Sequence, residues 1–251
     1  MRQAFSAVAV VMLVLATPVQ AQSYYVGVNG GYTQFRDTRF SQGDEGRTRV
    51  TGAYEGGDTA SVSIGQAFES GAAVSGRLEL EFGLQSDQVD SMVFDNTPNK
   101  EPAIDDDPVV DEDTGEVEQE GSRERVRDVS GQSEATFGFA NAIGDFTLTD
   151  STALVGGLGF GVGEVTFDTH SANENALGGD KTGGVVMDDS DITYGYQLIG
   201  GVAWQPFSML DLEVSYRYRS WEDISMRSAS GVKSKLSVRS HNLIGSMRVR
   251  F

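Results

Sequence analysis

The last eleven residues, His241-Asn-Leu-Ile-Gly-Ser-Met-Arg-Val-Arg-Phe251, decide how the chain is read. Phe251, Val249, Met247, Gly245 and Leu243 are apolar or small. Arg250, Arg248, Ser246 and Asn242 alternate with them, and Ile244 is the one apolar exception. Successive side chains of a strand point to opposite faces, so this stretch has one greasy face and one charged face. A strand of this kind needs an apolar medium on one side and partners for its charges on the other.

The other end of the chain supplies the compartment. Arg2 precedes a 10-residue apolar run, Ala7 to Ala16, and then Pro18-Val19-Gln20-Ala21-Gln22. A basic start, a short apolar core and a small-residue site predict a secretory signal peptide over residues 1–21, cut after Ala21. The run is too short to span a bilayer as a helix, and no other apolar run approaches the length of a transmembrane helix. Strands that cross a bilayer need only about 9–11 alternating residues, which average out in hydropathy profiles. The chain has no Cys, so no disulfide staples the exported fold. The formal charge is −18, and removal of Arg2 with the signal leaves −19. That balance argues against nucleic acid as a partner.

Between the ends, seven more stretches alternate. In 24–36, Tyr24, Val26, Val28 and Tyr32 oppose Asn29 and Thr33. In 59–68, Val62, Ile64 and Phe68 oppose Ser61, Ser63 and Gly65. In 74–85, Val74, Leu78, Leu80, Phe82 and Leu84 oppose Arg77, Glu79 and Glu81. In 133–143, Ala135, Phe137 and Phe139 oppose Glu134, Thr136 and Gly138. In 152–163, Leu154, Leu158, Phe160 and Val162 oppose four glycines. In 191–204, Ile192, Tyr194, Tyr196, Leu198, Val202 and Trp204 share a face. In 210–221, Leu210, Leu212, Val214, Tyr216 and Tyr218 oppose Asp211, Glu213, Arg217 and Arg219. With 237–251 this makes eight strands, an even number as single-chain bacterial barrels require. Beyond Glu164 the phase breaks at Val165 and Phe167, which suggests a bulge or an exit from the membrane.

The connections alternate as well. Those at 69–73, 144–151 and 205–209 are short, and those at 37–58, 86–132, 168–190 and 222–236 are longer. Segregated loop lengths are the signature of periplasmic turns and extracellular loops, with both termini periplasmic. Aromatics sit near strand ends: Tyr24, Tyr25, Phe68, Trp204, Phe207 and Phe251 at one, Phe35, Tyr194, Tyr218 and Trp221 at the other. Two aromatic girdles are expected at the two interfaces of a bilayer.

The runs Tyr196-Gln-Leu-Ile-Gly-Gly-Val202 and Leu210-Asp-Leu-Glu-Val-Ser-Tyr-Arg-Tyr218, with His241 to Phe251, resemble the OmpA/OmpX-like and opacity-like outer-membrane β-barrel family. Phe137-Gly-Phe-Ala-Asn141 and Val155-Gly-Gly-Leu-Gly159 resemble its middle strands. The resemblance covers 24–251 apart from the loops. It implies an all-β, eight-stranded antiparallel transmembrane up-and-down β-barrel over residues 22–251, in the outer membrane of a Gram-negative cell. It implies that the closing strand, through Leu243, Met247, Val249 and Phe251, carries the signal read by the barrel insertion machinery. No peptidoglycan-binding domain is expected after Phe251, which speaks against a wall-tethering role.

If the greasy face meets lipid, the lumen receives Glu79, Glu81, Glu134, Asp211 and Glu213 with Arg77, Arg217, Arg219, Arg248 and Arg250. Five acids and five bases balance, in a chain that is otherwise strongly acidic. Unpaired buried charges cost several kcal/mol, so an internal ion-pair network is expected, with Arg217 and Arg219 meeting acids of neighbouring strands; solvated charges near the mouths are the alternative. Eight strands enclose room for side chains only, so the lumen is expected to be plugged; a narrow porin-like channel remains open if the glycines of 157–163 leave space. A soluble lipocalin-like barrel is the rival fold and would reverse the two faces. A lipid-modifying enzyme would need a nucleophile with a base in reach. With no Cys and only His170 and His241, no preorganised triad is legible, and no catalytic role is expected.

The long loop, about 87–130, holds 15 Asp or Glu against Lys100, Arg123, Arg125 and Arg127, a net of −11. Its carboxylates Asp105, Asp106, Asp107, Asp111 and Asp113 are the candidates for a divalent cation. The echo of an EF-hand fails, because Gly115 comes one place early. A solvated, repulsive brush is the simpler reading, and a cationic partner the other. No cofactor is expected. The expected partners are outer-membrane lipid, lipopolysaccharide and the insertion machinery, with the protein a monomer displaying four loops in a structural or surface-interaction role.

Overall fold

The computed structural model describes residues 22–36, 38–42, 48–69, 74–95, 123–126, 129–171, 185–227 and 233–251. The signal peptide 1–21 and the acids Asp105, Asp106, Asp107, Asp111 and Asp113 lie outside them. Among the described residues there are ten strands: β1 (Gln22–Phe35), β2 (Thr38–Gln42), β3 (Thr48–Glu69), β4 (Val74–Asp95), β5 (Arg123–Val126), β6 (Val129–Thr149), β7 (Thr152–Ser171), β8 (Val185–Phe207), β9 (Leu210–Arg227) and β10 (Lys233–Arg250). All pairings are antiparallel. Eight strands close a ring in the order β1, β3, β4, β6, β7, β8, β9, β10 and back to β1; β2 and β5 add outer pairings to β3 and β4. The ring closes along β1 and β10, from Tyr25 opposite Arg250 to Phe35 opposite Ser240. The Phe251 amide donates to the Tyr24 carbonyl at 2.9 Å. A closed ring leaves no unpaired edge along the spanning strands, which the hydrocarbon interior demands.

The faces have the polarity of a membrane protein. Val26, Val28, Ile64, Phe82, Leu158, Phe160, Leu198, Val214 and Leu243 are exposed apolar side chains, while Arg77, Glu79, Glu81, Arg217, Arg219 and Arg248 are buried. A soluble barrel would show the reverse, so the lipocalin-like alternative is excluded. Leu243, Met247, Val249 and Phe251 share the outward face, with Phe251 73% exposed.

The strands run beyond the stretches that alternation marked. β3 and β4 are 22 residues each and β8 is 23, so much of the expected outer loops is paired sheet. Of the two readings of the phase break at Val165 and Phe167, the bulge is absent and the exit from the membrane accounts for the change. The β6–β7 register is continuous from Ala135 opposite Val165 to Gln132 opposite Asp168, and Val165 and Phe167 point inward. Above the bilayer, water lies outside the barrel, so an apolar residue gains by facing in. The sequence changes which parity is apolar because the medium changes, with no insertion in the chain.

What fills the lumen corrects further expectations. Glu134 lies on the exposed outer face of β6, because Ala135, Phe137 and Phe139 fill the lumen. Phe35, Trp221 and Tyr25 also point inward, at 2%, 0% and 1% exposure, and take no part in the aromatic girdles. Tyr24, Tyr194, Trp204, Phe207 and Phe251 do face outward.

Candidate functional site

The lumen divides into three zones, and β9 contributes to all of them. Its inward residues Asp211, Glu213, Arg217, Arg219 and Trp221 climb from the short-turn end toward the loop end. In the first zone the Arg250 Nε lies 2.7 Å from Asp211 Oδ2, and Arg248 Nη1 lies 2.7 Å from Glu213 Oε2. Arg77 bridges Glu213 at 3.0 Å and Asp145 at 2.7 Å. A cavity of about 250 Å³ opens at this end, lined by Asp145, Asp211, Arg248 and Arg250.

Glu81 is the hub of the middle zone. Arg217 Nη1 reaches its Oε1 at 2.7 Å and Arg219 Nη2 at 3.1 Å, so these arginines of β9 meet an acid on β4 across the lumen and not, as expected, on a neighbouring strand. The Ser61 hydroxyl donates to it at 2.7 Å, Gln197 at 3.0 Å and Asn141 at 3.1 Å. Glu79 is held by neutral donors, the Tyr25 hydroxyl at 3.0 Å and the Asn141 amide at 3.1 Å. Arg219 donates onward to Gln197 at 3.0 Å and Gln85 at 3.2 Å, and Gln85 to Thr33 at 2.7 Å. A buried charge is tolerable only when its lone pairs and protons are taken up in this way.

The third zone is an apolar cap. Phe35, Val89, Phe137, Phe139, Val165, Phe167, Trp221, Ile224, Met226, Leu236 and Val238 form one buried cluster. Arg219 joins the zones, with its guanidinium carbon 4.2 Å from the Phe137 ring centroid, a cation–π contact. Trp221 stacks against Phe139 at 5.2 Å between centroids. It fits because Gly163 and Gly195 face it: a Cβ on either would lie 2.8 Å and 2.5 Å from the indole. The glycine face that could have left a pore is occupied: Phe139 covers Gly161 and Trp221 covers Gly163, while Ile143 lies against Gly157 and Asn141 against Gly159.

Of the ten lumen charges expected from the sequence, these contacts join Arg77, Glu81, Asp211, Glu213, Arg217, Arg219, Arg248 and Arg250; Glu79 lies among them, and Glu134 does not. Asp145 takes its place, so five carboxylates still face five guanidiniums. Asp145 was hidden in a stretch read as a turn, whereas β6 runs on to Thr149. Asn141, Gln197, Gln85 and Tyr25 carry no charge pattern to betray them; their inward parity was the only available signal.

At the outer end of the lumen, above the apolar belt, Asp87 is buried beneath outward-facing Ser86 and Gln88. It accepts the Phe35 amide at 2.6 Å and the Gly56 amide at 2.9 Å, tying β1, β3 and β4 together. Burial pushes its carboxyl above the ordinary carboxylate range, although the amide bonds pull the other way. On β9, Asp223 has φ 54° at an irregularity opposite Leu236 and Val238. This bulge moves the inward set from odd numbers through Trp221 to Ile224 and Met226. Among the described residues no group of three His, Cys, Asp or Glu could hold a metal ion. His241 contacts the Tyr216 hydroxyl on the outer face, while Ser240 is buried on the opposite one.

No family model matches the chain, and no curated protein does. Among solved structures it is similar to neisserial surface protein A, at 14% identity and TM-score 0.44, over 92% of this chain and 100% of that one. It is similar to the outer membrane protein OprG from Pseudomonas aeruginosa, at 14% identity and TM-score 0.45, over 93% and 99%. It is similar to the outer membrane protease OmpT from Escherichia coli, at 8% identity and TM-score 0.43, over 94% and 99%. These likenesses carry no residue-level argument. The eight-stranded transmembrane barrel stands on this chain's own closed ring, its apolar exterior and its charged, capped lumen.

Proposed function

We propose that this protein is an outer-membrane barrel with a structural and surface-displaying role, its lumen closed to solutes and both termini on the periplasmic side. The observation that carries the reading is the doubly filled lumen. Ion pairs occupy its middle, and an apolar cluster centred on fully buried Trp221 seals its outer end. Small barrels of this strand number hold side chains where larger ones hold water. The connections support that orientation: β6–β7 and β8–β9 are joined by two residues each, at the end where β1 begins and β10 finishes. The long connections all leave from the other end, as extracellular loops do.

The narrow-channel reading has one point in its favour. Ser63, Ser133, Asn242 and Ser246 each bury a polar atom with no protein partner, and sites of that kind hold water. Such water would still meet the cap. No catalysis is proposed, since the described histidine side chain, His241, meets a tyrosine and no serine. Planar-bilayer recording of the refolded protein is expected to show no stable open state. A large, persistent conductance would defeat the closed-lumen reading. Cell fractionation with heat-modifiable gel migration tests the location: the protein is expected in the outer-membrane fraction, with different mobility before and after boiling.

A further inference from the structure

Charge is distributed unevenly around the barrel. β6, β7 and β8 contain no Lys or Arg. β9 and β10 contain Arg217, Arg219, Arg227, Lys233, Lys235, Arg239, Arg248 and Arg250. Arg217, Arg219, Arg248 and Arg250 are used by the lumen acids. Arg227, Lys235 and Arg239 project outward and are exposed. Among the described residues none of these three has an ion-pair partner, although the chain holds 37 Asp and Glu. Exposed Arg36 adjoins them, its backbone amide donating to the Arg239 carbonyl at 2.8 Å. The nearby acids are engaged. Glu222 accepts from Ser220 and from Ser237, the latter at 2.9 Å, and Asp223 accepts the Tyr194 hydroxyl at 2.9 Å. The β6–β8 side of the barrel presents exposed Glu134, Glu164, Asp168 and Asp188.

We propose that the outer β9–β10 face docks the phosphate groups of a glycolipid whose headgroup is a tall, phosphorylated saccharide. The proposal rests on the outer-membrane reading above and names the lipid that this face selects. Height is what separates this lipid from a simple phospholipid. The outward apolar series of β10 ends at Leu243. Arg239 and Lys235 stand two and four outward positions beyond it. At about 6.6 Å per outward position and a tilt near 40°, they lie about 10 and 20 Å further from the membrane centre. Arg227, paired with Lys233, lies higher still. A phospholipid headgroup layer is only about 5–8 Å thick. A ladder of cations that long matches phosphates carried at several depths on one saccharide. Exposed Tyr216 and half-buried Tyr218 lie at its foot, beside His241, where rings meet an interface.

The test uses full-length protein refolded in zwitterionic detergent micelles, with native mass spectrometry to count bound lipid. Rough lipopolysaccharide, the same material after chemical dephosphorylation, and phosphatidylglycerol are the probes. The expected order is tight binding of the first and weak binding of the other two. Each outer cation is expected to account for about fivefold, so Arg227→Gln, Lys235→Gln and Arg239→Gln together weaken binding about a hundredfold. The control Glu164→Gln with Asp188→Asn is expected to leave it unchanged. Undiminished binding by the triple variant, or equal binding of phosphatidylglycerol, would overturn the proposal. A wild type that shows no heat-modifiable fold in micelles would instead defeat the membrane reading, and this proposal with it.

Discussion

Replacing Glu81 by Gln tests the lumen most directly. Glu81 is fully buried, and both Arg217 and Arg219 direct a guanidinium at the same oxygen, at 2.7 and 3.1 Å. The side chains of both arginines are 2% exposed or less, so water cannot take over when the carboxylate goes. Gln keeps the volume and can still bond Ser61, Asn141 or Gln197, but it leaves two buried cations without their acid. Removing one partner of a buried pair costs about 3–5 kcal/mol. At a urea slope near 2 kcal/mol/M, that lowers the unfolding midpoint by about 1.5–2.5 M. The measurement is equilibrium urea unfolding in phospholipid vesicles, followed by tryptophan fluorescence and gel migration. The companion variant changes Glu81, Arg217 and Arg219 all to Met. It is expected to regain more than half of the loss, because apolar replacement of a whole buried ion group is often neutral. Gln197 donates to Asn141 at 2.7 Å, and that contact is expected to survive in the variant. A loss below about 1 kcal/mol for Glu81→Gln would mean that water solvates the arginines, and the sealed, ion-paired lumen would have to be abandoned.

Three further outcomes follow from the same geometry. Leu198→Arg, midway along the outward series of β8 from Ile192 to Trp204, is expected to cost about 2–4 kcal/mol in vesicles, whereas Glu134→Gln on the outer rim stays within about 0.5 kcal/mol. In a Trp204→Phe background Trp221 is the only tryptophan, and its emission is expected to be blue and resistant to aqueous quenchers. Gly195→Val should shift that emission and destabilise by about 1–3 kcal/mol, since its Cβ would meet the indole at 2.5 Å. Asp87 sets a pH dependence. Its folded pKa lies above its unfolded one, so ionisation opposes folding at neutral pH. Stability is therefore expected to rise as pH falls through the raised value, and to level off below the ordinary carboxylate range. The difference between wild-type and Asp87→Asn midpoints across that window isolates the effect; a difference that does not change with pH would contradict it.

Period-two alternation is covalent in origin, since each residue of a strand turns its side chain to the opposite face. It made the barrel, its strand count and most of its faces legible from residues such as Leu78, Phe82 and Leu212 against Arg77, Glu81 and Glu213. It also placed Arg217 and Arg219 in the lumen, because no charged parity can face hydrocarbon. Partnership across the lumen was beyond its reach: Arg217 and Glu81 are 136 residues apart and meet only because the ring closes. Parity alone could not say which medium a face would meet. Phe137, Phe139, Val165 and Trp221 turn inward because a capped lumen offers them apolar neighbours and, higher up, the outside is water. Glu134 turns outward for the same reason, and Asp145 supplies the fifth acid that the lumen arginines require.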